Sequence, residues 1–142
     1  MRGDATRRAV GRSWTRAAAP LAIAVAVVGV FCTWTNDGPV SLNGTQGPHD
    51  GWLVVIVAAP AFLWARSLAT GTWVAVVGSL GSAAVIGWTA LASWRDSRDV
   101  LGASVGYGLL LVVGASLVLA AAGVARGLEL LHVRDRLAQD RS

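Results

Sequence analysis

The chain has no lysine: all twelve of its basic residues are arginine. Charge of either sign is scarce, 14% of 142 residues against roughly 25% in soluble domains. Cysteine occurs once, as Cys32, so the chain can form neither an internal disulfide nor a cysteine-built metal centre. The net charge of +4 is not gathered into a basic face with interleaved aromatics, which excludes nucleic acid as the expected partner. Lysine codons are AT-rich, so their disuse beside abundant Gly, Ala and Val points to a GC-rich genome.

What fills the chain instead is apolar. Hydrophobic residues make up 54%, and the mean hydropathy is +0.57. Four runs, Ala17–Trp34, Gly51–Ala65, Gly71–Trp94 and Val100–Ala125, contain no Asp, Glu, Lys, Arg or His. About 20 apolar residues cross the hydrocarbon core as a helix. The second run reaches that length if Ser67–Thr70 complete it and Arg66 snorkels to the surface. The sequence therefore predicts an all-α fold, a transmembrane bundle of four helices. Three spans with one re-entrant segment is the alternative count. The expected divisions of one membrane domain, 1–142, are a basic N-terminus at 1–16, spans at 17–35, 51–70, 71–94 and 100–125, loops at 36–50 and 95–99, and a tail at 126–142. Thr6-Arg7-Arg8 before an apolar run loosely resembles a twin-arginine signal. No small-x-small cleavage site follows, and Phe31 before Cys32 breaks a lipobox, so the first span is expected to be retained.

Arginine placement sets the expected orientation. Ten of the twelve lie in the N-terminal segment, the second connection and the tail, which four spans put on one side. Arg95 and Arg98 in the third connection are offset by Asp96 and Asp99. The positive-inside rule then places both termini in the cytoplasm of a multi-pass protein of the cytoplasmic (inner) membrane. Trp14, Trp64 and Trp73 fall at the inner boundary and Trp34, Trp52 and Trp94 at the outer one, where indoles anchor at headgroup level. Trp88 lies deeper, with packing between helices as its alternative role.

The segment WTNDGPVSLNGTQGPHDGW, 34–52, reads as an outer loop rich in turn signals: Asn36-Asp37-Gly38-Pro39, Asn43-Gly44 and Asp50-Gly51. Val40 and Leu42 alternate with Ser41, which allows a short hairpin on the membrane surface. Asp37, His49 and Asp50, with Asn43, are metal-binding residue types, but their spacing matches no calcium loop and the segment has a single His. No metal and no cofactor is expected. Asp37, His49, Asp50, Arg95 and Arg98 are instead candidate outer-face contact residues.

The third span carries small residues at Thr72, Ala75, Ser79, Ser82, Thr89 and Ser93, interrupted by Ile86. Gly102-x-x-x-Gly106 and Gly123-x-x-x-Gly127 put GxxxG spacings in the fourth. Small residues let helix backbones approach closely in lipid, so Ser79, Ser82, Gly102, Gly106, Gly123 and Gly127 are the candidate helix-packing residues. A polar pore lining is the competing reading of the Ser/Thr stripe. Pro60 should kink the second span. Leu130, Val133 and Leu137 share one face of the tail, which makes it an amphipathic cytoplasmic extension of the last helix suited to anionic lipid or a partner helix.

An Arg-rich start, the loop ending Asp50-Gly51-Trp52 and the run Gly102-Ala103-Ser104-Val105-Gly106-Tyr107-Gly108-Leu109 together resemble small four-span integral membrane proteins of actinobacteria, proteins of unknown function. The resemblance implies a cytoplasmic-membrane location and supplies no catalytic residues.

Catalysis or coupled transport in lipid needs ionisable groups at depth, and the four runs have none. The expected function is accordingly non-enzymatic, with no catalytic residue: a helix-packing assembly protein or accessory subunit of a membrane complex. Its partners are the bilayer and either copies of itself or another membrane protein. The alternative is a small pore-forming, holin-like protein.

Overall fold

The computed structural model describes residues 2–37, 40–46, 50–98 and 104–139, with side chains throughout except at 2–16, 37 and 98. Four helices dominate: α1 (Arg2–Phe31), α2 (Gly51–Ser67), α3 (Trp73–Arg98) and α4 (Tyr107–Gln139). A single 3₁₀ turn, Leu68–Thr70, joins α2 to α3, and Gly71 closes it with φ +71°, a value open to glycine without a Cβ clash. Three strands lie at the other end: β1 (Thr33–Asp37), β2 (Val40–Asn43) and β3 (Ser104–Val105).

Three helical stretches, Gly51–Thr70, Trp73–Ser97 and Tyr107–Gln139, are long and apolar enough to cross a membrane. The described apolar part of α1, Ala17–Phe31, is shorter. Large apolar side chains point outward along α2 (Ile56, Leu63), α3 (Val74, Val77) and α4 (Leu110, Leu117), all more than 60% exposed. Such continuous apolar exposure is costly in water and normal against lipid. The inward faces are built largely of Ala and Val, with Ile23, Ile86, Leu109 and Leu119 among the largest buried side chains. Small inward residues bring the four backbones close, which suits packing by dispersion where no hydrophobic effect drives the helices together.

Several boundaries differ from those read in the sequence. The first helix ends at Phe31, because Cys32 N–H turns back to the Gly29 carbonyl (3.2 Å) and the chain becomes extended at Thr33. At the end of α3 the helix outlasts the apolar run: residues 95–98, expected in a loop, form its last turn, and the buried Ser97 hydroxyl donates to the Ser93 carbonyl (2.7 Å). The last helix starts at Tyr107 rather than at 100, because Ser104–Val105 pairs as a strand. Charge and hydropathy mark where a membrane ends; helices and strands stop where backbone hydrogen bonds change partner. Both α1, at Pro20, and α2, at Pro60, continue as helix through a proline.

The strands form one antiparallel sheet in the order β2-β1-β3. Between Thr33↔Asn43 and Thr35↔Leu42, β1 advances two residues while β2 advances one, which leaves Trp34 as a bulge. A bulge re-aims a side chain, and the indole of Trp34 turns fully inward, 0% exposed. The ring is therefore packed inside the protein and does not face lipid. Trp88, by contrast, is 66% exposed on the outward face of α3 and does not pack between helices of this chain.

Candidate functional site

With few ionisable groups, the features that define this molecule are close backbone approaches, and the glycines mark them. Gly29 on α1 and Gly108 on α4 face each other: a Cβ on Gly108 would lie 2.6 Å from the Gly29 carbonyl oxygen, and one on Gly29 would lie 3.0 Å from the Gly108 oxygen. The two helices meet backbone to backbone here, directly beneath the sheet. Neither glycine stands out in the sequence. Gly108 sits two residues past the GxxxG pair, and Gly29 is a lone glycine in an apolar run.

The sheet end is sealed around Trp34. Its indole Nε1–H donates to the Gly29 carbonyl (2.8 Å), and a Cβ on Gly44 would meet the ring at 2.4 Å. Gly44 N–H donates to Val30 O (2.8 Å), Gly51 N–H to Gly44 O (2.9 Å), and Gly106 N–H to Trp34 O (2.7 Å). Asn43 folds the adjoining turn, its side-chain oxygen accepting from the Thr45 N–H (3.0 Å) and hydroxyl (2.8 Å).

The predicted packing residues divide by position. Ser79 and Ser82 of α3 are buried, and Gly123 and Gly127 of α4 pack against the same helix: a Cβ on Gly123 would meet Leu80 at 3.0 Å, and one on Gly127 would meet Val76 at 3.4 Å. Gly87 and Ser116 extend this α3–α4 seam, with the Ser116 hydroxyl oxygen 3.2 Å from where a Gly87 Cβ would lie. Gly106 is placed differently from the sequence expectation. It precedes α4, and what crowds it is the backbone of β1, with Thr33 O only 2.2 Å from a built Cβ. Its GxxxG spacing is therefore not a helix face. Gly102 lies outside the described residues.

Of the Ser/Thr stripe, expected as a packing seam with a pore lining as the competing reading, Thr72 is exposed and immediately precedes α3, its hydroxyl oxygen accepting from Ala75 N–H (3.3 Å). Deeper in the helix, the Ser82 hydroxyl donates to Gly78 O (2.8 Å) and the Thr89 hydroxyl to Val85 O (3.0 Å). Both bonds stay within α3, so neither hydroxyl needs water. Ser79 Oγ is buried with no hydrogen-bond partner.

Of the five candidate outer-face residues, two, Asp50 and Arg95, have described side chains. Asp50 is exposed just ahead of α2 and caps nothing with its side chain, and Arg95 is exposed on the last turn of α3. Asp37 and Arg98 contribute backbone to β1 and α3, while their side chains, like all of His49, lie outside the described residues. Among the described residues, no three His, Cys, Asp or Glu side chains gather as a metal site would require.

At the opposite end, Arg126 of α4 reaches the α2–α3 turn. Its Nε–H donates to Leu68 O (3.1 Å), its Nη1 pairs with Glu129, and its Nη2 lies where a Gly71 Cβ would intrude at 2.6 Å. The guanidinium thus ties the end of α2 to α4 through the Leu68 carbonyl, which also accepts the Gly71 N–H (3.2 Å), a favourable charge at a helix C-terminus. From sequence, Arg126 is only one more charge in the tail. A cavity of about 510 Å³ opens beside it, between Thr70–Gly71 and the α4 extension.

No protein-family model, curated protein or solved structure matches the chain.

Proposed function

We propose that the chain is a non-enzymatic integral membrane protein of the cytoplasmic membrane. In this reading it spans the bilayer four times with both termini in the cytoplasm, and it serves as an assembly protein or an accessory subunit of a membrane complex. The observation that carries the reading is the closed α3–α4 seam, where Gly123 and Gly127 pack on Leu80 and Val76 and the Ser82 and Thr89 hydroxyls bond to their own helix. A conduit needs a continuous polar lining with room for water; this stripe is spent on contact. Gly81 and Gly114 supply the outward counterpart. Each would leave a built Cβ with nothing within 4 Å, so each offers a surface on which a neighbouring helix backbone can come close. Four spans require α1 to cross on a short apolar stretch, which local thinning of the bilayer and flanking arginines accommodate.

Two measurements on the purified protein test the assignment. In mild detergent it should run as a defined oligomer or co-purify with a membrane protein. In liposomes loaded with a small dye it should cause no leakage. Dose-dependent leakage that is abolished by Ser82→Leu and Thr89→Leu would replace this reading with the pore.

A further inference from the structure

The cavity beside Arg126 lies at the foot of an apolar strip. Leu117, Ala121, Val124 and Leu128 follow one another along the exposed face of α4, and Leu128 is also part of the cavity wall. Below Leu128 the same side of the helix turns polar, with His132 and Arg136 lining the cavity beside Glu129. Leu68, Thr70 and Gly71, where α2 turns into α3, define the level at which two of the three long apolar helices end. In a bilayer that level is the headgroup region.

We propose that this cavity holds the headgroup of an anionic phospholipid, with acyl chains along the Leu117–Leu128 strip and the phosphate between Arg126 and Arg136. The proposal rests on the membrane-spanning reading of α2, α3 and α4. Basic pockets between membrane helices are where lipid headgroups of this class bind. The Arg126 guanidinium is already held in place: one nitrogen is fixed on Leu68 O and another on Glu129, and Nη2 is seated against Gly71, with both residues in the cavity wall. Arg136 is exposed and able to close on the ligand, and His132 adds a ring whose Nδ1–H donates to Leu128 O (2.8 Å), which leaves Nε2 of the neutral ring as an acceptor for a headgroup hydroxyl and not for the phosphate. Glu129 takes one charge from the site, so Arg126 and Arg136 together leave the cavity with a net positive charge. The strip decides for lipid over soluble phosphate: a free anion uses only the charged floor, whereas a phospholipid also covers Leu117, Val124 and Leu128, which are 50–65% exposed.

The test is lipid retention by the full chain in nanodiscs of a zwitterionic phospholipid doped with phosphatidylglycerol. Wild type should enrich phosphatidylglycerol around itself. Arg136→Gln, an exposed change that leaves the Arg126 contacts in place, should lower that preference about fivefold. Arg134→Gln removes the same charge two residues away on another face of the helix and should lower it far less. Equal losses in the two variants would reduce the effect to general surface charge and overturn the site. Glycerol phosphate in detergent solution should compete weakly; if it binds wild type as tightly as the lipid does and fails with Arg136→Gln, the ligand is a soluble phosphate compound and the lipid assignment is wrong. A chain that inserts into neutral nanodiscs but shows no anionic preference refutes the headgroup site alone. A chain that does not insert at all refutes the spanning reading beneath it.

Discussion

Glycine carries opposite meanings at different positions of this chain, and the difference is set by what surrounds the missing Cβ. At Gly108 the space is taken by the Gly29 carbonyl and by Cys32, backbone and short side chain that cannot swing away. Gly108→Ala should therefore destabilise the protein by about 1–3 kcal/mol, the usual cost of overpacking. At Gly81, in a helix of similar character, nothing lies within 4 Å. Gly81→Ala should leave the monomer unchanged or stabilise it by up to about 1 kcal/mol through helix propensity. Thermal unfolding of the two variants in one detergent checks the pair, and a Gly108→Ala variant as stable as Gly81→Ala would mean that the α1–α4 contact has slack. Trp34 teaches the same lesson from the side of a large residue. From sequence it is one of seven tryptophans at an apolar boundary, indistinguishable from Trp52. The structure separates them: the bulge in β1 buries Trp34 completely, whereas Trp52 in the first turn of α2 is 56% exposed.

Among the elements, α3 shows how a polar stripe is disarmed. Ser82 and Thr89 each return their proton to a carbonyl four residues back, so Ser82→Ala and Thr89→Val remove bonds that the helix backbone does not depend on. Both should change stability by less than about 1 kcal/mol, in line with the small measured worth of polar contacts between membrane helices. Ser79 is the exception, a buried hydroxyl with no partner, and Ser79→Ala should raise the unfolding temperature by removing an unsatisfied group worth about 1 kcal/mol or more. A lowered unfolding temperature would show that the Ser79 hydroxyl has a role the monomer does not display. The helices themselves are legible in the sequence because apolar runs without charge leave few alternatives in lipid. Their contacts are not. The spacing at Gly102 and Gly106 looks like a helix face, yet Gly106 serves a strand junction, since a hydrogen bond from its N–H to Trp34 O depends on a residue far away in sequence. The Gly123–Gly127 pair, deep inside an uninterrupted helix, does lie on a packing face. Local pattern is informative where the chain stays helical and misleading where a distant partner redirects it.

For the whole molecule, the asymmetry of arginine is the feature to test. The sheet end carries Arg95 and Arg98 near Asp96, whereas the turn end and both termini carry the remaining ten arginines. Single cysteines placed at Ser41 in β2 and Ala138 near the end of α4, both exposed, in a Cys32→Ser background, should differ in reaction with an impermeant reagent applied to intact cells. Ser41→Cys should label and Ala138→Cys should not until the membrane is opened. Equal labelling of both would end the four-span topology.

The two ends of the molecule are also joined differently. At the turn end, one arginine side chain ties α4 to the hairpin of α2 and α3. At the sheet end, β1 follows α1 directly while its partner β3 is supplied only after α2 and α3 have been made. A chain emerging from a ribosome can pair β1 with β2 early, but the far edge of β1 must wait until α2 and α3 have been made and β3 follows them. Completion of the sheet is therefore a late event in biogenesis, and until it happens a strand edge stands open, the kind of surface by which immature chains are recognised or become entangled with each other. The third strand, only two residues long, is what closes that edge.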